Sequence, residues 1–226
     1  MRWLRKLKQW VRFRRHDDAY ATTRERLWLG IKDAIDTQLK LRRSIWLVAH
    51  FPDTFVQLQE QVSQWGLAYS IVRQPITIES LAKQNQDLLS PSSVHLVLAD
   101  LVPTSMARFD GDLEGEVAAL VVERHPWMPH DADLQDYFKS LSAAGLPVEL
   151  GYFMAFDDSV VAEVLNETTI EVLNQLGLAS HRMINSMTLT RRIAKQLLKK
   201  QSQFNGNVNA DNVEQWLRLN DQEPQA

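Results

Sequence analysis

The stretch that decides the fold is SIWLVAHFPDTFVQLQEQVSQWGLAYSIV, residues 44–72. Its first seven residues form an apolar run that is typical of a parallel strand buried on both faces. Asp53 or Thr54 then supplies a helix N-cap, and Gly66 marks the end of that helix. A second apolar run follows at residues 67–72. We therefore predict a strand–helix–strand unit, which is the building block of parallel α/β sheets.

The alternation of strands and helices continues along the chain. Apolar runs predict further strands at residues 94–100, 117–123 and 147–156. Helical periodicity and helix-end signals predict helices at residues 22–41, 77–89, 131–143, 158–176, 183–202 and 211–219. Strands that alternate with helices across short loops indicate a mostly parallel sheet with helices on its faces, so the predicted fold class is α/β.

The composition is that of a globular protein and excludes several kinds of site. The chain has 226 residues, of which 45% are hydrophobic and 23% are charged, enough for a sizeable core. The absence of cysteine excludes disulfides and thiolate metal ligands and fits a reducing compartment. The net charge of −3 gives no overall attraction to nucleic acid. No apolar run approaches the roughly 20 residues of a membrane span, so we expect a cytoplasmic protein.

Residues 1–15, MRWLRKLKQWVRFRR, carry seven basic residues and no acidic one. In a helix, their apolar residues would fall on one face at spacings of three and four, and such a helix can lie in the interface of an anionic membrane. We therefore predict contact with a membrane or a protein partner. The contact residues would be Trp3, Leu4, Leu7 and Trp10, with Arg5, Lys6, Lys8, Arg12, Arg14 and Arg15. A helix packed on its own domain, a frayed basic arm and non-specific nucleic-acid binding are the alternatives.

No motif for binding a nucleotide or for hydrolase chemistry is present. The eight glycines never form the closely spaced loop that cradles a phosphate, and no serine lies in a Gly-x-Ser-x-Gly elbow. The acidic run Asp110, Asp112, Glu114, Glu116 alternates like a calcium loop but lacks its spaced glycine and final glutamate. A solvated loop is the better interpretation, and we predict no cofactor and no metal.

The stretch VVERHPWMPHDADL, residues 121–134, collects histidines and carboxylates at the end of a predicted strand. In open parallel sheets, ligands bind at the carboxyl ends of the strands. As zinc ligands, however, His125 and His130 have the wrong spacing to share one face of a helix. Asp131 is more simply interpreted as a helix N-cap. For an enzyme at this edge, the candidate residues are His50, Asp53, Asp100, Glu123, Arg124, His125 and His130.

Several motifs resemble the second nucleotide-binding lobe of SecA, the preprotein translocase motor, over about residues 44–202. The motifs follow one another in the family's order and with nearly its spacing. They are Glu123-Arg124-His125 followed by Asp131 and Leu134, the strand YFMAFDD that ends in Asp158, LGL with Gly177 in the middle, and a helix that opens with Thr190 and Ile193. The family's lobe is a RecA-like parallel sheet of the helicase type, followed by a long scaffold helix, and the resemblance implies that architecture here.

The chain departs from the family where the family handles ATP. A glycine-containing nucleotide loop of the family is replaced by LADLVPTSMARFDGD, residues 98–112, without the family's glycines. The family's arginine-rich segment after Glu-Arg-His is replaced by DLQDYFKSLSAAG, residues 133–145, which contains no arginine. Such arginines stabilise the charge on a transferred phosphoryl group, so the comparison implies a degenerate lobe.

We therefore predict a non-catalytic SecA-like domain that acts as a binding or scaffold module, without ATP hydrolysis of its own. The alternative is a small enzyme or ligand-binding protein that uses the carboxyl ends of the strands. The resemblance implies a partner from the translocation machinery, or a full-length SecA-like motor, at the inner face of the cytoplasmic membrane. The predicted organisation is an N-terminal helical unit over residues 1–43, the RecA-like lobe over 44–182 and a helical extension over 183–226. We expect the motif residues to hold strand-to-helix turns in place.

Overall fold

An eight-stranded, mostly parallel sheet lies at the centre of the computed structural model, which describes residues 13–83, 86–103, 113–162, 183–204 and 208–220. Its strands are β1 (Phe13–Arg15), β2 (Ala19–Ala21), β3 (Ser44–Ala49), β4 (Ser70–Ile71), β5 (Val94–Leu98), β6 (Val117–Val121), β7 (Val148–Ala155) and β8 (Ile184–Asn185). The helices are α1 (Arg24–Lys40), α2 (Pro52–Gln64), α3 (Ile78–Lys83), α4 (Met128–Ala143), α5 (Ser159–Ala162), α6 (Met187–Gln201) and α7 (Val213–Asn220). The predicted α/β fold class is confirmed.

The strand order across the sheet is β4–β5–β3–β6–β7–β2–β8, and β1 also pairs with β7. Among the described strands only β2 and β8 run antiparallel to each other. Strand β3 is central and is buried along its whole length, which explains its continuous apolar sequence.

Two layers of helices cover the sheet. Ile45 and Leu47 of β3 belong to a cluster formed with α1 and α2. Trp46 and Val48, which point the other way because side chains alternate along a strand, belong to a larger cluster formed with α3, α4, α5 and α6. The core therefore lies on both faces of the sheet, and the strand ends are left to build a site.

Helix α2 begins differently from the prediction. Its N-cap is Phe51 and Pro52 occupies the first turn, so neither Asp53 nor Thr54 is the cap. Proline is compatible with this position because the first N–H groups of a helix have no partner within the helix. Gly66 follows the helix end with φ +69, the left-handed conformation that favours glycine there.

Other boundaries also correct the predictions. Helix α4 begins at Met128, so Asp131 lies inside its first turn and is not the N-cap. The helix predicted over residues 77–89 is a short helix, Ile78–Lys83, and a separate 3₁₀ turn, Gln86–Leu89. Strand β4 has only two residues, fewer than the apolar run predicted.

Strands β1 and β2 lie beside β7, and the sequence had predicted a helix that extends through the position of β1. Both strands run parallel to β7, with Arg15 opposite Leu150 and Ala19 opposite Phe153. Three residues therefore separate these pairs on one strand and two on the other. The extra residue is a β-bulge, a feature that redirects side chains, and Asp18 inside it is fully buried.

The C-terminal helices complete the described structure. Ser186 caps α6 by accepting a hydrogen bond from the N–H of Leu189. The N–H of Asp53 in α2 donates to the carbonyl of Asp211 over 3.0 Å, which ties the start of α7 to the lobe. Because β2 and β8 join the sheet, both predicted terminal units contribute to the same lobe. No helix among the described residues has the length and apolar character needed to cross a membrane.

Candidate functional site

Charged and polar side chains are buried together at the edge of the sheet where β3 and β6 end. We call them the strand-end cluster: Asp18, His50, Glu123, Arg124, His125 and Asp131. None of the six is more than 7% exposed. Buried charges require partners, so the contacts within the cluster determine what it can do.

Glu123 acts as the cap of helix α2, although it belongs to a different part of the chain. One carboxylate oxygen accepts hydrogen bonds from the N–H groups of His50 and Phe51, over 3.0 and 3.1 Å. The other oxygen accepts the Thr54 hydroxyl over 2.8 Å. Burial raises the pKa of Glu123, and the charge of His50 and the Thr54 hydrogen bond oppose that rise. The carboxylate thus occupies the place where a helix N-terminus attracts an anion.

Arg124 is held between two aspartates. Its Nε and Nη2 lie 2.9 and 2.8 Å from Oδ2 of Asp18, and its Nη1 lies 2.9 Å from Oδ2 of Asp131. The guanidinium carbon also lies 4.6 Å from the centre of the Tyr152 ring, a cation–π distance. Burial opposes the charge, but Asp131 and Asp18 keep the pKa of Arg124 above its ordinary value. Both bonding sides of the guanidinium are therefore in use.

Asp131 connects Arg124 to His50. His50 Nε2 lies 2.9 Å from Oδ1 of Asp131, and this contact is charged only when His50 is protonated. The contact is an ion pair and not a hydrogen bond, since His50 Nε2 has no hydrogen-bond partner among the described residues. Burial alone would raise the pKa of Asp131, but His50 and Arg124 hold it below its usual value.

His125 lies in an aromatic enclosure. Its ring stacks on Phe51 at 5.0 Å and 15° and meets the edge of Trp216 at 5.2 Å. His50 and His130 lie 5.4 and 4.3 Å from it. Its Nδ1 accepts the N–H of Trp127 over 2.9 Å, which requires an unprotonated nitrogen. Burial, reinforced by the two histidines, lowers the pKa of His125 to about 2, so this ring is neutral at physiological pH.

A cleft of about 430 Å³ opens beside the strand-end cluster, between the ends of β6 and β7 and the starts of α2 and α7. Arg24 forms an ion pair with Asp158 over 2.6 Å, and its backbone N–H donates to Asp157 over 3.2 Å. Burial raises the pKa of Asp158, and Arg24 opposes that rise. These contacts leave the cleft polar and partly closed by its own side chains.

The lining of the cleft carries more acid than base. Its carboxylates are Asp53, Glu123, Asp157, Asp158 and Glu214, and its cations are Arg24 and Arg124. This excess disfavours an anionic ligand such as a nucleotide phosphate. No group of three or more histidine, aspartate or glutamate side chains among the described residues could hold a metal ion.

Most of the residues predicted for an enzyme at this edge do come together. Those inside or touching the strand-end cluster are His50, Glu123, Arg124, His125 and His130. Asp53 lines the cleft, whereas Asp100 is exposed on the turn after β5 and does not line it. Glu123 and Arg124 are held by separate partners and not by each other.

The remaining motif residues have diverse positions. Leu134 and Ile193 are buried in the core, and the Thr190 hydroxyl accepts the N–H of Asp18 over 3.2 Å. Asp158 lies in the cleft, and Gly177 lies outside the described residues. In the acidic run, Glu116 pairs with Arg43 over 3.0 Å, while Asp110 and Asp112 lie outside the described residues.

The residues predicted to contact a membrane are largely outside the structure that can be described: Trp3, Leu4, Arg5, Lys6, Leu7, Lys8, Trp10 and Arg12. The Arg14 side chain is 71% exposed. Arg15 pairs with Asp18, and its guanidinium carbon lies 4.6 Å from the centre of the Tyr152 ring. Its charge is therefore engaged within the protein.

Sequence reasoning missed Asp18, Arg24 and Trp216. Asp18 follows a basic run and lies in a bulge that no residue pattern announces. Trp216 is only 1% exposed and reaches the cluster from the last described helix. A lone tryptophan in a short amphipathic helix was the available signal for it.

Comparison of the chain with models of protein families and with curated proteins found no match in either case.

Proposed function

We propose that this protein is a non-catalytic domain, similar to the second nucleotide-binding lobe of SecA, that acts as a binding or scaffold module. The observation that carries the proposal is the position of Glu123 at the start of α2. A helix N-terminus beside the end of a parallel strand favours a phosphate. Here the N–H of the N-cap Phe51, the N–H of His50 just before it and the Thr54 hydroxyl already bind the Glu123 carboxyl group. A phosphate would have to displace a buried, hydrogen-bonded carboxyl group.

The surroundings of Glu123 support the same proposal. Arg124, which follows Glu123 in the chain, has both bonding sides engaged by Asp18 and Asp131. It is therefore not available to neutralise charge on a transferred phosphoryl group. The excess of carboxylates in the cleft adds repulsion.

Titration calorimetry with Mg-ATP and with ADP tests this proposal directly. We expect no measurable heat of binding and no phosphate release by the full chain. The variant Glu123→Gln keeps the size of the side chain and removes its ability to carry a charge, so it tests whether that charge is what excludes a phosphate. Micromolar binding to the wild type, or ATP hydrolysis above the buffer rate, would overturn the non-catalytic assignment.

As partner we propose the translocation machinery or a full-length SecA-like motor, at the inner face of the cytoplasmic membrane. The sequence of residues 1–15 supports membrane attachment, because it has seven basic residues and no acidic one, interleaved with apolar residues. Flotation with anionic vesicles should fail for the Trp3→Glu, Trp10→Glu double variant and should weaken with salt. Equal flotation of that variant would contradict the anchor. Interferometry with a purified SecA motor and with the translocation channel tests the protein partner.

A second candidate function is a small enzyme or ligand-binding protein, and the cleft favours it. A volume of about 430 Å³ is in the range of small-molecule sites, and Asp158 within it has a raised pKa. A thermal-shift screen of small molecules tests this candidate. A compound that raises the Tm of the wild type but not of Asp158→Asn would favour it over the scaffold.

A further inference from the structure

The charges of the chain are separated along the sequence, although the net charge is small. Residues 1–16 contain seven Lys and Arg and no acidic residue, and residues 172–210 contain six and no acidic residue. The rest of the chain holds 12 of the 25 basic residues and all 28 acidic ones. Two basic segments therefore flank a strongly acidic body.

The fold brings the described residues next to the first segment against described residues of the second. Strand β2, which follows the first segment, pairs with β8, which lies in the second. The N–H of Asp18 donates to Thr190 at the start of α6 over 3.2 Å. Asp18 and Thr190 are 172 positions apart in sequence. The adjacency is therefore a consequence of tertiary structure alone.

Helix α6 turns a basic surface outward. Its buried residues, Leu189, Ile193 and Leu197, form one stripe against the core. Its exposed cations, Arg191, Arg192, Lys195 and Lys199, lie on the opposite side, on an arc of roughly 100° at 100° per residue. We call this the outer face of α6. None of these four cations has an ion pair among the described residues, whereas Arg15, Arg24, Arg43 and Arg124 each do.

Apolar residues border the same surface. Met187 is 49% exposed and Leu198 is 61% exposed, and both lie beside Arg191 on the helix. Cations interleaved with exposed apolar side chains suit a lipid interface, where the cations meet phosphate headgroups and the apolar groups enter the acyl boundary. A single-stranded nucleic acid would instead favour aromatic side chains for base stacking, and the exposed arc of α6 contains none.

We infer that the outer face of α6 is a second membrane-contact surface, which binds anionic phospholipid headgroups. The inference rests on the proposed membrane attachment and adds the surface that orients the lobe. Because β8 directly precedes α6 and pairs with β2, this contact would turn the sheet edge formed by β2 and β8 toward the bilayer.

Vesicle flotation of the full chain tests the inference. The vesicles contain phosphatidylcholine with about one-third anionic phosphatidylglycerol, compared with phosphatidylcholine alone. The test variant is Arg191→Gln, Lys195→Gln, Lys199→Gln. The matched control is Lys40→Gln, Arg73→Gln, Arg218→Gln, which removes the same charge from exposed positions on other elements. Each cation near an anionic surface strengthens membrane binding by about fivefold. The α6 variant should therefore bind the anionic vesicles at least tenfold more weakly than the wild type, and the control less than about twofold more weakly.

The outcomes separate this inference from the proposed function. If the α6 variant binds vesicles like the wild type while Trp3→Glu, Trp10→Glu does not, the inference is wrong and the N-terminal anchor stands. If the α6 variant loses binding and the tryptophan variant does not, the surface stands and the anchor is wrong. Equal losses in the α6 variant and its charge control overturn the inference. Tighter binding to a single-stranded oligonucleotide than to vesicles, lost in the α6 variant, also overturns the assignment to lipid.

Discussion

The strand-end cluster and the outer face of α6 are both rich in charge, but they differ in whether each charge has a partner. In the cluster, Arg124 is 5% exposed and lies between Asp18 and Asp131. On α6, Arg191 and Lys195 are exposed, and neither has an ion pair among the described residues. The charges of the strand-end cluster therefore serve the folded structure, whereas those of the outer face of α6 are accessible to a partner.

The difference shows why the motif Glu123-Arg124-His125 does not by itself mark a working site. Its three side chains cap a helix, join two aspartates and fill an aromatic enclosure. A buried charge contributes little net stability but becomes costly when its partner is removed. An exposed charge without a partner contributes almost nothing to stability. Measurements of stability and of binding should consequently divide these residues into two groups.

The largest expected effect is that of Arg124→Met. The substitution removes the cation that the buried Asp18 and Asp131 share, so the free energy of unfolding should fall by about 3–5 kcal/mol. Urea denaturation followed by circular dichroism measures it. The matched control is Arg14→Met, whose side chain is 71% exposed and should cost less than about 0.5 kcal/mol. Equal losses in both variants would mean that the cluster is not a structural unit.

A smaller effect is expected for Glu123→Ala. It removes the acceptor for the N–H groups of His50 and Phe51, so the free energy of unfolding should fall by about 1–3 kcal/mol. Glu123→Gln keeps one amide oxygen as an acceptor and should cost less, and Thr54→Val should remove one hydrogen bond only. If Gln and Ala cost the same in urea denaturation, capping is not what Glu123 does.

The pH dependence of stability is a further way to test the cluster. Burial, then His50 and His130, hold the pKa of folded His125 at about 2 instead of 6.5. Because the unfolded chain binds the proton more readily, this contribution is complete above about pH 6.5 and is lost as the pH falls. Between about pH 7 and pH 5 the loss is up to about 2 kcal/mol.

Comparison with His125→Asn isolates that histidine. Asparagine does not titrate and its carbonyl can still accept the N–H of Trp127. Burial raises the pKa of Glu123 and Asp158, so these two groups make the folded protein relatively more stable as the pH falls, opposite to His125. Both groups are present in the wild type and in the variant, so their effect cancels in the comparison. The stability difference between pH 7 and pH 5, measured in urea, should shrink by about 2 kcal/mol in the variant. An unchanged difference contradicts a buried, neutral His125.

The smallest effect on stability is expected from Arg191→Gln, Lys195→Gln, Lys199→Gln on the outer face of α6. Since these side chains are exposed and have no ion pair among the described residues, the free energy of unfolding should change by less than about 0.5 kcal/mol. A loss above about 1 kcal/mol in urea denaturation would place these cations with the strand-end cluster and break the comparison.

The central strands were predictable because they are buried on both faces. Residues 44–49 and 117–121 show continuous apolar runs, and runs of that kind have few alternatives in an α/β chain. Strands β1 and β2 were not predictable, since each has three residues and β1 is mostly arginine. Their pairing depends on β7, which lies more than 120 residues away in sequence.

The sequence predicted the residues of the candidate site that follow β6, but not their partners. The strand ends located Glu123, Arg124 and His125, because polar residues directly after a buried strand collect at one edge of the sheet. Their partners were not apparent. Asp18 is 106 residues from Arg124, and no local pattern relates them.

The sequence by itself determined the parallel α/β architecture, the missing phosphate loop and the two basic segments. These properties depend on local periodicity, residue type and composition, which need no knowledge of distant contacts. Only the tertiary structure decided that Glu123 caps α2, that Arg124 is paired on both sides, and that the start of α6 contacts Asp18. These contacts join distant parts of the chain, and whether a charge ends up buried with a partner or exposed without one depends on that pairing.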